Sequence, residues 1–400
     1  MTIIADHLSR VKASAVSLIT AKTQQLEREG KSIIKLSAGE PDFGTPDHVK
    51  MAGVAAIAEG KTQYPPVQGV FELRQAIIEK LKRDNRLDYS PDQIVVSCGC
   101  KQVLYNALAA TLNPGDEVLL PTPYFISYPN MVSLNRGVPV FIKTRGENRF
   151  KLTPDDLEAA ITPRTKWLFI NSPGNPSGCV YTDTEFKALA EVLRRHPHVW
   201  ILTDDIYEYL VYDQAVFYTL AQVAPDLKDR ILLVNGVSKA YAMTGWRVGY
   251  GAGPAELIKT MFKIQSQSTS GTSIISQWAS VTALEGDHRF VADNVQTLKQ
   301  RRDLVVSRMN DVEGLSCSSP EGAFYCYISC KDLMGKKTPR GTILSSDLDF
   351  CNFLMDECGV AVVHGDAFGL SPYFRISFAT KMEVLKTGCS KIAAACEQLK

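Results

Sequence analysis

The strongest constraint on this chain is a series of short apolar runs that alternate with helical patterns between about residues 94 and 265. Candidate strands are Ile94–Ser97, Glu117–Leu120, Val138–Ile142, Trp167–Asn171, Trp200–Thr203, Ile231–Asn235 and Val248–Ala252. Each is short, apolar and rich in residues that suit a buried pleated surface. Between them, at Lys101–Leu112, Thr182–Arg195 and Ala255–Gln265, the apolar spacing lengthens to that of one helical face. Pro114–Gly115–Asp116 and His196–Pro197–His198 punctuate two of these helices. Strand–helix–strand units of this length favour parallel neighbours, because a parallel connection must cross over the sheet. The expectation is an α/β fold built on a mostly parallel seven-stranded sheet.

Beyond this region the pattern changes. A long charged helix, about Arg289–Asn310, leads to strands near Gly322–Ile328, Val360–Val363 and Phe374–Ser377 and a closing helix, Met382–Leu399. Strands grouped in this way with helices suggest a smaller α+β domain. The first 45 or so residues hold one amphipathic helix, about Val16–Glu29, too little to fold alone. They are expected to pack against the C-terminal domain. The expected division is 1–45, 46–288 for a large domain and 289–400 for a small one.

Charge narrows the partners. With 44 Lys+Arg against 43 Asp+Glu the net charge is +1, which argues against a nucleic-acid or membrane-surface protein. Small polar acids and cofactors are the expected ligands. The uncharged stretch Ile264–Leu284 is studded with Ser, Thr and Gln and would make a poor membrane span. Asp6, Arg10 and Lys12 stand at the N-terminus without an apolar run behind them, so a cytoplasmic location is expected. Ten cysteines then read as reduced thiols. Cys351/Cys358 and Cys389/Cys396 have helical spacing, and no second pair accompanies Cys98/Cys100 or Cys326/Cys330 at zinc-ribbon spacing. Core packing is the expectation and metal binding is not.

Ligands of such sheets bind at the carboxyl ends of strands, where four segments stand out. Cys98–Gly99–Cys100–Lys101 opens a helix, where backbone N–H groups and the dipole favour an anion. Ser172–Pro173–Gly174–Asn175–Pro176–Ser177–Gly178 is a rigid loop that presents the Asn175 amide. Asp204, Asp205 and Tyr207 follow a buried strand, and a carboxylate there calls for a partner. In Ser238–Lys239–Ala240–Tyr241–Ala242–Met243–Thr244–Gly245–Trp246–Arg247, a lysine in apolar surroundings has a second cation eight residues on. Both features lower its pKa and make it an amine nucleophile. The run Gly249–Gly253 lacks dinucleotide spacing and reads as a turn.

Together and in this order, the four segments resemble class I aminotransferases of pyridoxal-phosphate fold type I. The similarity is greatest to the bacterial branch of aspartate and prephenate aminotransferases. It runs from Arg10–Val11–Lys12 and Gly39–Glu40–Pro41–Asp42–Phe43 to Tyr373–Phe374–Arg375–Ile376–Ser377. The resemblance implies transamination between an L-amino acid, L-aspartate first, and a 2-oxo acid such as 2-oxoglutarate, oxaloacetate or glyoxylate. Pyridoxal 5′-phosphate is the implied cofactor, in a homodimer with shared active sites. Lys239 matches the lysine that bonds to the cofactor and then moves the substrate proton. Asp204 matches the carboxylate facing the pyridine nitrogen; Asn175 and Tyr207 match the donors to the phenolic oxygen. Gly99, Cys100, Ser238 and Arg247 match the phosphate cup, with Tyr64 of Thr62–Gln63–Tyr64–Pro65–Pro66 reaching in from a partner. Arg375 and Gly39 match the α-carboxylate contacts. Lys101 is the implied receptor for a distal carboxylate, and Lys12 matches a residue linked to prephenate use.

Three positions depart from the branch. Phe125 stands at the ring-stacking position, where Trp is usual, so stacking survives without the indole donor. Val16 replaces a common threonine, and Cys100 a smaller residue. A prephenate or aromatic aminotransferase is the alternative, and a β-lyase on the same fold is a more distant one. A transcription regulator with such a domain would need about 60–80 residues of DNA-binding domain ahead of Gly39.

Overall fold

The computed structural model describes residues 3–11 and 13–400. At its centre is a seven-stranded sheet, in the order Ile94–Cys98, Val248–Ala252, Ile231–Gly236, Trp200–Asp204, Thr165–Asn171, Glu117–Pro121, Val138–Ile142. Val248–Ala252 runs antiparallel to both neighbours and the other contacts are parallel. The seven strands are those read from the apolar runs, extended by one or two residues at some ends. Residue parity explains how the sheet is covered on both faces. Leu119, Leu168, Ile170, Ile201 and Leu233 enter one apolar core. Val118, Leu120, Trp167, Phe169, Leu202 and Leu232 enter the other. Both faces of the sheet are thus buried against apolar residues, as a sheet flanked by helices requires.

The Asp183–Arg195 helix begins where the sequence signals it. Thr182 accepts from the Glu185 N–H, and the Glu185 side chain accepts from the Thr182 N–H. Two helices without such a stripe, Asp47–Ala58 and Ile274–Glu285, pack against each other. Asp47–Ala58 is Ala-rich and approaches its neighbours by smallness: a Cβ on its one glycine, Gly53, would stand 2.9 Å from the Trp246 ring. Amphipathic periodicity does not find a helix of this kind.

A four-stranded antiparallel sheet, in the order Val363–His364, Tyr373–Ser377, Tyr325–Ser329, Ser316–Cys317, forms another layer. Its core is built on Phe324, Tyr325, Phe350, Phe374 and the Met382–Glu397 helix. The run 360–363 does not form one strand. Val360–Ala361 pairs in parallel with Ile34–Lys35, while Val363 turns to the other sheet. Leu36 thereby enters the C-terminal core.

The Gly249–Gly253 reading needs correction. Gly249, Gly251 and Ala252 lie in a buried strand, not a turn. Close approach is the reason for glycine: a Cβ at Gly249 would stand 2.2 Å from the Cys100 backbone N. All ten cysteines are free, and among the described residues no group of His, Cys, Asp and Glu could hold a metal. Among those residues no helix is long and apolar enough to cross a membrane.

Candidate active site

The carboxyl ends of three parallel strands converge on one cavity of about 370 Å³. Asn171, Asp204 and the Ser238–Lys239 segment after Gly236 all line it. The strand tips are tied together by Asn171. Its amide donates to the Asp204 carbonyl at 2.7 Å, and its Oδ1 accepts from the Asn175 N–H at 2.8 Å. The asparagines flanking the proline–glycine loop thus set the height of one strand end against the next.

Asp204 is 5% exposed. The partner expected for it proves to be no cation but the phenol of buried Tyr128, which donates to Oδ2 at 2.7 Å. Burial pushes the carboxyl up to about 6, against the Tyr128 hydrogen bond. Its Oδ1 is buried with no partner in the chain. An orphaned carboxylate oxygen of this kind is costly unless a ligand donates to it.

Lys239 lies in the same cavity, and its amine donates to the Gly39 carbonyl at 2.7 Å. Burial brings its pKa down to about 8, with smaller contributions from Arg247 and Arg375. Burial therefore does more than the neighbouring arginine that the spacing singled out. A pKa near 8 leaves a minority of the amine neutral near physiological pH, far more than an ordinary lysine has.

One end of the cavity suits an anion. The Cys100–Thr111 helix starts without a side-chain cap, after Gly99 at φ 81°. A Cβ at Gly99 would lie 2.5 Å from Arg247 Nη2, so glycine admits the guanidinium over the helix start. Arg247 is oriented by the Thr244 carbonyl at 2.9 Å and the Cys98 carbonyl at 3.3 Å. Ser238 lines the same end.

Opposite lies buried Arg375. Nη1 donates to Asn175 Oδ1 at 2.9 Å and Nη2 to the Ser37 carbonyl at 2.8 Å, while Nε has no partner. Its guanidinium lies against the rings of Tyr325, at 4.3 Å, and Phe368, at 5.1 Å. With its Oδ1 taken by Arg375, Asn175 has its NH₂ end for another acceptor. Tyr207, fully buried, faces Tyr325 hydroxyl to hydroxyl at 3.0 Å.

Phe125, Lys101 and Val16 also line the cavity, Val16 packing in the cluster of Phe368. Lys101 has no carboxylate partner among the described residues; its amine lies 5.6 Å from the Phe125 ring centre. Burial and Arg247 both lower its pKa. Tyr64, 94% exposed, stands apart from this cavity in its own chain. Lys12 lies outside the described residues. Tyr128, Tyr325 and Asn171 complete the site, and the motifs gave no role to any of them. The flanking asparagines were the one available signal, and for the two tyrosines there was none.

This geometry has counterparts. The family model for aminotransferases of class I and II matches residues 31–392. A probable aspartate/prephenate aminotransferase of Rhizobium leguminosarum bv. phaseoli is 54% identical over 396 residues, covering 99% of each chain. An aspartate/prephenate aminotransferase of Cereibacter sphaeroides is 53% identical over the whole of both chains. The crystal structure of an aspartate aminotransferase from Rhizobium meliloti superposes with a TM-score of 0.98 at 51% identity, covering all of both chains.

Proposed function

From the premise that this chain belongs to the aminotransferases of class I and II, we propose that it moves an α-amino group between an L-amino acid, L-aspartate first, and a 2-oxo acid. The cofactor in this reading is pyridoxal 5′-phosphate. One observation carries it: a buried carboxylate oxygen with no partner, Asp204 Oδ1, shares a cavity with a lysine whose pKa is near 8.

The residues present fit the cofactor. Gly99, Cys100, Ser238 and Arg247 would hold the phosphate, Asp204 the ring nitrogen, Asn175 and Tyr207 the phenolic oxygen, and Phe125 one ring face. When bound, the cofactor supplies an electron sink for the bond to the substrate α-carbon. Asp204 keeps a proton on the ring nitrogen through its own negative charge. Arg375 orients the substrate by presenting a planar fork to the α-carboxylate, with its unpartnered Nε and spare Nη hydrogens as donors. Lys239 would accept the substrate α-proton on its Nζ and hold it for return, a task that suits an amine with a pKa near 8. Tyr325 and Phe125 line the cavity with aromatic rings beside these groups.

Lys101 is the reading's receptor for the distal carboxylate of aspartate. It stands in the first turn of a helix, where the dipole disfavours a cation by about 0.3–1 kcal/mol, and among the described residues it has no acidic partner. A charge-assisted hydrogen bond is typically worth about 1.5–3 kcal/mol. Lys101→Ala should therefore lower kcat/KM for aspartate roughly ten- to a hundredfold and leave alanine nearly untouched. Equal losses for both substrates in steady-state assays would assign Lys101 to the phosphate or the fold.

The active unit in this reading is a homodimer. Tyr64, Met51, Val54, Ile57 and Phe71 are large, apolar and mostly exposed, on and near the Asp47–Ala58 helix, where a second copy would cover them. Tyr64→Ala and Lys239→Ala, each deficient alone, should recover roughly a quarter of wild-type activity when mixed, because a heterodimer keeps one intact site of two. No recovery, or full activity in a monomer by sedimentation, would remove the shared site.

A second acceptor is favoured by the relatives, two of which carry prephenate in their names. Steady-state rates with oxaloacetate, 2-oxoglutarate, glyoxylate and prephenate, each against aspartate or glutamate, test both readings. Failure of transamination with every pair would overturn the proposal.

A further inference from the structure

Two residues that the motifs did not connect meet through a third. Across the small sheet Tyr325 pairs with Ser377, Tyr327 with Arg375 and Ser329 with Tyr373. Alternation puts Tyr325 and Arg375 on one face, and that face meets the cavity. Tyr325 is 1% exposed, and its two ends do different things. Its ring carries the Arg375 guanidinium at 4.3 Å. Its hydroxyl lies 3.0 Å from the Tyr207 hydroxyl. The same oxygen backs Gly39, where a Cβ would stand 3.6 Å away, and the Gly39 carbonyl accepts from Lys239.

Two facing phenols share a single hydrogen bond, so one donates and the other accepts. The direction matters, because Tyr207 has only one proton. If Tyr207 gives it to Tyr325, nothing remains for an acceptor in the cavity. The surrounding charges set the direction. Burial raises both phenols. Arg375 lies against the Tyr325 ring at 4.3 Å, while the cation over the Tyr207 ring, Lys239, is farther away at 5.9 Å. Asp204 raises Tyr207 further, so Tyr325 is the stronger acid of the two and the better donor.

We propose that Tyr325 is a positioning residue that donates to Tyr207, leaving the Tyr207 proton for the cofactor's phenolic oxygen, while its ring holds Arg375 ready for the substrate carboxylate. The inference rests on the function proposed above and adds a coupling between the cofactor and substrate ends of the site.

The test is a spectral pH titration of the yellow holoenzyme. Donation to the phenolic oxygen stabilises negative charge there and thus the deprotonated lysine nitrogen, so a weaker donor raises the midpoint. Tyr325→Phe removes the hydroxyl and keeps the ring. The midpoint should rise by about 0.5–1 on the pH scale, with KM for the amino donor within about twofold of wild type. On a Tyr207→Phe background the same change should add no further rise. Tyr325→Leu removes the ring as well, and KM should then rise roughly tenfold. A purely structural role would lower Tm and leave the midpoint in place. An unchanged midpoint in Tyr325→Phe, or a full additional rise on Tyr207→Phe, would overturn the proposal. A wild-type protein without a pH-dependent visible band would overturn the cofactor reading itself, a failure distinct from a band that Tyr325→Phe leaves unmoved.

Discussion

Lys239→Ala should reduce transamination by about 10⁴-fold or more and change the visible absorbance of the protein. The size follows from two tasks in one group. A positioned general acid–base contributes about 10²–10⁴-fold, and loss of the covalent anchor adds to it. No other side chain can take over. Arg247 and Arg375, which line the same cavity, are guanidinium groups that do not lose their protons, and Lys239 is the amine that donates to the Gly39 carbonyl. The amine pKa near 8 gives a second readout in the cofactor-free protein. Reaction of Lys239 with an aldehyde reagent should climb as pH rises through about 8 and level above it, since only the neutral amine attacks. A variant with unchanged thermal stability, unchanged spectrum and full turnover would remove Lys239 from the reaction.

Asp204→Asn should be the next most damaging change, with kcat lowered about 10²–10³-fold. The amide keeps the shape and can still accept from Tyr128, but it carries no charge. The pH dependence shows its sign. Burial outweighs the Tyr128 hydrogen bond and the Lys239 charge and holds the Asp204 carboxyl up at about 6. A ligand that donates to Oδ1 and carries positive charge binds the ionised form. Cofactor affinity should therefore be full above about pH 6 and fall as pH drops through it. The cofactor phosphate also titrates near pH 6, so the comparison that counts is between wild type and Asp204→Asn. The variant should bind more weakly above pH 6 and lose less below it. Parallel curves from equilibrium dialysis would show that Asp204 does not face a cationic group.

Much of this architecture was legible without coordinates because its causes are local. Short apolar runs with helical spacing between them are dictated by the periods of strand and helix, and they located all seven strands of the central sheet. The Arg289–Asn310 helix lies where its pattern put it. Motif order was enough to pick out Asn175, Asp204, Ser238, Lys239 and Arg247, because residues that follow strands in a parallel sheet gather at one edge.

Other features depend on segments far apart in the chain. Arg375 reaches Asn175, and Lys239 reaches Gly39, across 200 residues in each case. Tyr128 meets Asp204, and Tyr325 meets Tyr207, through the packing of elements whose relative register no local pattern encodes. The run at 249–253 carried two readings, part of the Val248–Ala252 strand and a turn; the strand is what forms, and the close approach of the Cys100 helix start is what requires glycine at 249. By itself the sequence determined which residue types stand at which strand ends, since hydrophobic period and turn chemistry act within a few residues. Only the tertiary structure decided the partners of those residues. Burial, an orphaned oxygen and a pKa near 8 belong to the cavity that distant segments close, and not to any one segment.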